Sequence, residues 1–150
     1  MAERRFKFRA DVVLALRRGR DEGTQRERAA ADTAVRRAEQ ALDTARERLR
    51  EGCERPRDGS IDAEWYRNWM VGLRAAIARR TEELAGRRRE REEALARALR
   101  ARRDLRVIER LRARRQRAFD LETARREQRQ IDALAAQQHR APARATGGIP

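Results

Sequence analysis

Between Met1 and Ala141 the chain contains a single proline, Pro56. It lies in GCERPRDGSID, from Gly52 to Asp62, the one dense cluster of helix-breaking residues. On both sides of that cluster apolar residues return at intervals of three and four, the spacing of a helix with one buried stripe. One break between two long periodic stretches allows few folds. Two helices joined by a short turn must lie antiparallel.

Composition narrows the choice further. Charged residues make up 43% of the 150-residue chain and aromatics 4%. The apolar fraction is 39%, but 28 of those residues are alanine, which supports a helix while burying little surface. Such a chain can fill a narrow seam between helices, not a layered core. The reading is therefore an all-α fold: a long antiparallel two-helix coiled-coil hairpin over residues 1–139, with a disordered tail over 140–150.

Helix 1 is expected over about residues 8–51. Val35, Ala38, Leu42, Ala45 and Leu49 give heptad spacing in its second half. Its first half opens with Val13, Leu14 and Leu16 and then meets Gly19 and Gly23. Each glycine costs a helix about 1 kcal/mol relative to alanine, so fraying or bending is expected from Arg18 to Thr24. The turn is expected over residues 52–62 and helix 2 over about 63–138. Asp62 can cap helix 2, Glu64 suits its first turn, and Ile61 with Tyr66 can form a hydrophobic staple. Met70, Leu73, Ile77 and Leu84 mark its seam, with Arg80 between. The seam is expected to weaken from Arg87 to Arg103 and to return at Leu105, Ile108, Leu111 and Phe119, then at Ile131 and Leu134. The two helices would be roughly 65 and 110 Å long, so helix 2 should overhang the N-terminus. Off the seam, Glu22–Arg26, Asp32–Arg36, Glu83–Arg87, Glu93–Arg97 and Glu122–Arg126 have the spacing of helical ion pairs.

The formal net charge is +14, and Lys7 is the one lysine among 39 basic residues. The arginine excess covers the whole chain, as codon bias would produce. From Arg87 to Arg115, thirteen arginines face five acids, which would attract a polyanion. The arginines are read as distributed around the helix, with no aromatic interleaved for base stacking. A solvated charged face, or docking on an acidic protein, is preferred to nucleic acid.

No catalytic constellation is visible. Cys53 is the only cysteine and has no histidine nearby, and His139, the only histidine, lies at the start of the tail. No glycine-rich phosphate loop is present. The expectation is a non-enzymatic protein with no cofactor and no metal. The start, MAERRFKFRAD, lacks an apolar targeting region, and no apolar run reaches the roughly 20 residues of a membrane span. A cytoplasmic location is expected.

Aromatic residues cluster at two places: Trp65, Tyr66 and Trp69 after the turn, and Phe6, Phe8 and Phe119 at the end carrying the N-terminus. A two-helix seam cannot bury them all, so they either anchor interfaces or cap the hairpin.

Three segments carry a resemblance. RFKFRADVVLALRRGRDE, WYRNWMVGLRAAI and IERLRARRQRAFDLETARREQRQIDALA together resemble, in order and spacing, the pattern of the flagellar export protein family FliJ, over about Arg5 to Gln137. That resemblance implies a coiled-coil stalk, similar to the central subunit of rotary ATPases. The end with both termini would enter the hexameric export ATPase FliI and promote its assembly and activity. The implied contacts there are Phe6, Phe8, Val12, Val13, Leu16, Phe119, Glu122, Arg125 and Gln128. The other half would touch the export gate FlhA through Leu42, Leu49, Trp69, Leu73, Ala76 and Arg80; at Leu49 family members can carry an aromatic. Export chaperones are further implied partners. The implied location is cytoplasmic, peripheral to the inner-membrane export apparatus, with membrane contact only indirect. Two alternatives stand beside it: the equivalent stalk of a virulence type III secretion system, and a basic coiled coil that binds nucleic acid.

Overall fold

The computed structural model describes residues 5–54, 59 and 62–140. It contains two helices, α1 from Asp11 to Glu54 and α2 from Ala63 to Arg140, which pack together as a hairpin, with no strand among the described residues. Most of the connection, Ile61 of the expected staple and the expected tail beyond residue 140 lie outside the described residues.

The helix ends differ from expectation for local reasons. The first turn starts at Asp11 rather than near Phe8, because the Phe8 carbonyl accepts the Asp11 N–H at 3.1 Å while the Phe8 ring is buried. At the other end α1 runs through Gly52 and Cys53 to Glu54. Gly52 is a buried packing position there and not a breaker. In the connection Gly59 has a φ of 76°, in the left-handed region that glycine occupies without a Cβ penalty. α2 begins as its sequence suggests. The Asp62 carboxylate accepts the Glu64 N–H at 2.9 Å, and the Asp62 carbonyl accepts the Tyr66 N–H at 3.0 Å, satisfying donors that a helix start leaves open.

The expected fraying between Arg18 and Thr24 does not occur. α1 is continuous through Gly19 and Gly23. The Thr24 hydroxyl there donates to the Arg20 and Asp21 carbonyls, both at 3.0 Å, so a residue that competes with helix elsewhere is absorbed by it.

The chain divides into two compact units. The body unit, Ala15–Leu105, holds the hairpin seam in two sections. In the first, Val35, Ala38 and Leu42 pack with Leu84 and Ile77. Burying such side chains contributes about 1.5–3 kcal/mol for each large aliphatic group. In the second, the buried residues are Asp21 and Thr24 on α1 and Ala94, Ala98, Ala101 and Leu105 on α2. The expected weakening of the seam from Arg87 to Arg103 is thus corrected: it continues there on alanines spaced four and three apart. The terminal unit combines the start of the chain, through Leu14, with α2 from Arg106 onward. Phe8 and Leu14 are buried in it, and Asp11 faces Arg112 at 3.9 Å.

Of the helical ion pairs expected, Glu22–Arg26, Glu93–Arg97 and Glu122–Arg126 form. Glu83 instead pairs with Arg80 at 2.9 Å and Arg87 with Glu90 at 3.0 Å, one turn the other way. Arg36 donates to the Thr33 hydroxyl rather than to Asp32.

Candidate functional site

In the body unit, the start of α2 meets the end of α1. A Cβ on Gly52 would lie 2.8 and 2.9 Å from the Trp69 ring and 3.5 Å from the Met70 sulfur. Only a residue without a side chain lets the indole lie this close to the backbone. The Tyr66 hydroxyl donates to the Gly52 carbonyl at 3.0 Å, a second tie to the same residue. Tyr66 is tilted against Trp69 at 6.0 Å, and Trp65 stacks on Trp69 at 5.7 Å with 15° between planes. The two readings of these aromatics therefore divide by residue. Trp69 is half-buried and covers α1, while Trp65 remains 53% exposed.

The residues implied as a gate-facing surface fall into three environments. Leu42 is 3% exposed and sits in the seam with Leu84, so it holds the helices together and offers no face to a partner. Leu49, Leu73, Ala76 and Trp69 are half-buried along the seam edge. Arg80 is exposed, its guanidinium on Glu83. Val71 is a large exposed apolar residue that sequence reasoning missed. It lies off the heptad positions, and that offset was the available signal.

In the terminal unit, Phe6 stacks near Phe8 at 6.5 Å and meets Phe119 at 5.7 Å, tilted by 55°. Phe8 is buried and the other two rings half-buried, so the aromatic group fixes the chain start on α2. The aliphatic residues beside it are left open. Val12 is 81% exposed, and Val13, Val107, Leu111 and Leu121 are exposed as well. From Ala124 to His139 every residue of α2 is exposed, including Ile131 and Leu134 at about 60% each. Here the apolar period continues with no partner helix. Glu122 is held by Arg126, Gln128 donates to Asp132 at 2.9 Å, and Arg125 is exposed. Leu16, implied in the same surface, belongs to the start of the body unit and is exposed.

Among the arginines distributed around α2, one trio shares a face. Arg110, Arg114 and Arg117, with Ala113 between them, line one shallow groove. Their four- and three-residue spacing puts them on one face.

Among the described residues no group of three His, Cys, Asp or Glu side chains could hold a metal ion. The other depressions are open grooves between helices, such as the one lined by Glu39, Leu42, Arg46, Leu84 and Arg88. Cys53 is an exposed free thiol in the last turn of α1. No helix among the described residues is long and apolar enough to cross a membrane. The geometry thus presents surfaces and edges suited to contact with other proteins.

No curated protein and no solved structure matches the chain. A family profile does: that of the flagellar FliJ protein, over residues 6–144. The matched span takes in both helices and both aromatic groups, nearly the whole chain. The chain belongs to the flagellar FliJ family, components of flagellar type III protein export.

Proposed function

We propose that this protein is the non-enzymatic stalk of the flagellar export ATPase. Its terminal unit docks in the hexameric FliI ring, promoting ring assembly and ATP hydrolysis, and the start of α2 contacts the export gate FlhA. The observation that carries this reading is the open apolar surface of the terminal unit. Val12, Val107, Leu111 and Leu121 are exposed together with an α2 segment that has no partner from Ala124 to His139. Exposed aliphatic stripes of this kind mark protein interaction sites. The ATPase contacts proposed are Val12, Val13, Leu16, Glu122, Arg125 and Gln128, with Phe6, Phe8 and Phe119 setting the position of the chain start. The gate contacts proposed are Trp69, Leu73, Ala76 and Arg80, joined by Trp65 as the exposed member of its stack. Leu42 and Leu49 support that face from the seam. Empty export chaperones are further proposed partners, and the protein works in the cytoplasm at the periphery of the export apparatus. The test is turnover of the cognate FliI with and without the purified chain. Stimulation is expected, and its absence at saturating protein, with binding also absent, would overturn the reading.

The arginine strip Arg110–Arg114–Arg117 favours a polyanion as a second reading. Retention on heparin that falls steeply with salt is its signature. Weak retention at physiological salt removes it.

A further inference from the structure

The terminal unit carries a face of α2 that its own packing does not use. Arg106, Arg110, Arg114 and Arg117 are spaced four, four and three residues apart. At 3.6 residues per turn they fall within an arc of about 80°. That arc lies opposite the half-buried Ile108, Phe119 and Thr123, on the side of α2 away from Phe6. All four arginines are exposed, and three of them line the groove with Ala113. No acidic residue from Asp104 to Glu122 falls within the arc.

Several arginines elsewhere on α2 are matched by an acid one turn away, as in Arg80–Glu83, Arg87–Glu90, Arg97–Glu93 and Arg126–Glu122. Among the described residues the four arginines of the strip form no ion pair or hydrogen bond. Each instead stands one turn from another arginine, and like charges at that spacing destabilise a helix. An anion laid along the strip removes the repulsion.

The flanks of the strip say which anion fits. The exposed aliphatics Val107 and Leu111 border it on one side, and Glu109 and Asp120 on the other. Single-stranded nucleic acid is held by aromatic stacking among the cations, and no aromatic lies in the arc. Duplex phosphates would leave Val107 and Leu111 unmatched. A flat anionic membrane would bring Glu109 and Asp120 against its phosphates. A single α-helix is narrow enough to lie on the strip alone. Its carboxylates can recur at the same intervals of four and three residues, about 6 and 4.5 Å along the axis, so each guanidinium meets one carboxylate. Within the chain, acids of α1 already meet arginines of α2 in this way. Glu39–Arg88, Glu27–Arg97 and Asp21–Arg102 pair at 3.0, 3.4 and 2.8 Å in the body unit, and Asp11–Arg112 at 3.9 Å in the terminal unit.

We infer that the strip Arg106–Arg110–Arg114–Arg117 receives an acidic amphipathic helix of a partner protein, its carboxylates on the guanidiniums and its aliphatic side chains on Val107 and Leu111. The inference rests on the polyanion reading of the arginine trio and names the polyanion. The probe is a labelled helical peptide with glutamates spaced four, four and three residues apart and leucines along one flank. A peptide of the same composition, scrambled so that its glutamates share no face, is the comparator. Both are titrated with the full chain at physiological salt and followed by fluorescence anisotropy. The periodic peptide should bind at least about tenfold more tightly. Arg110→Gln with Arg114→Gln should weaken it by about tenfold. Arg28→Gln with Arg48→Gln removes equal charge from exposed positions of α1 and should leave it unchanged. Equal affinity for the two peptides, or equal effects of the two double variants, would overturn the inference. So would tighter binding of single-stranded DNA or anionic vesicles that depends on Arg110 and Arg114. Heparin retention that persists alongside such a result spares the polyanion reading and removes the helix alone, while FliI stimulation reads the stalk separately.

Discussion

The start of α2 in the body unit and the terminal unit both gather aromatic and aliphatic side chains, but they dispose of them differently. At the first, Trp69 lies on Gly52, Tyr66 bonds the Gly52 carbonyl, and Met70 is buried. Most of the apolar material there is taken up within the hairpin. In the terminal unit the rings of Phe6, Phe8 and Phe119 are consumed in the same way, yet Val12, Val107, Leu121, Ile131 and Leu134 are left open. A seam residue and an interface residue can share a heptad pattern. What separates them is whether a partner helix reaches that position, and along the last part of α2 none does.

That comparison can be broken by substitution, with stability as the first readout. Leu42→Ala should have the largest effect, about 2–3 kcal/mol of destabilisation in thermal or urea unfolding, because it empties the interlocked part of the seam. A near-neutral result would return Leu42 to the surface role that the sequence resemblance implied. Gly52→Leu should cost about 1–3 kcal/mol by displacing the Trp69 ring, with a shift in tryptophan emission as the indole leaves its site. Unchanged emission and stability would mean that the indole does not depend on the bare backbone of Gly52. Gly19→Ala and Gly23→Ala should each stabilise by about 0.5–1 kcal/mol, since nothing lies within 4 Å of a Cβ built at either position. Destabilisation at either would show that the open space is used. Smallest of all, Val12→Ser and Ile131→Ser should change stability by no more than about 0.5 kcal/mol, as expected for side chains that touch little.

Much of this architecture is legible in the chain. The heptads from Val35 to Leu49, the Asp62 cap and the single break between helices all rest on local chemistry, and local chemistry is written in spacing. The features that escaped are those in which a residue type has two meanings. Gly52 reads as a breaker but is the floor beneath an indole, a fact that depends on Trp69 from the other helix. Ala94, Ala98 and Ala101 read as helix filler but form a seam, because only the approach of α1 makes a small residue a packing residue. Gly19 and Gly23 suggested fraying, and a helix of 44 residues flanked by good formers carries their cost without breaking. The two aromatic clusters were legible as sequence features. That Trp65 stays exposed while Phe6, Phe8 and Phe119 are covered was not, since that is decided by cross-helix geometry.

The open apolar surface of the terminal unit, and not the aromatic stack beside Gly52, is the proposed contact with the export ATPase. Its most direct test is the turnover of FliI titrated with the Val12→Ser, Ile131→Ser double variant and, separately, with Trp65→Ala, each first shown to be as helical as the parent. The double variant should lose most of the stimulation while Trp65→Ala retains it. Stimulation lost with Trp65→Ala and kept by the double variant would contradict it.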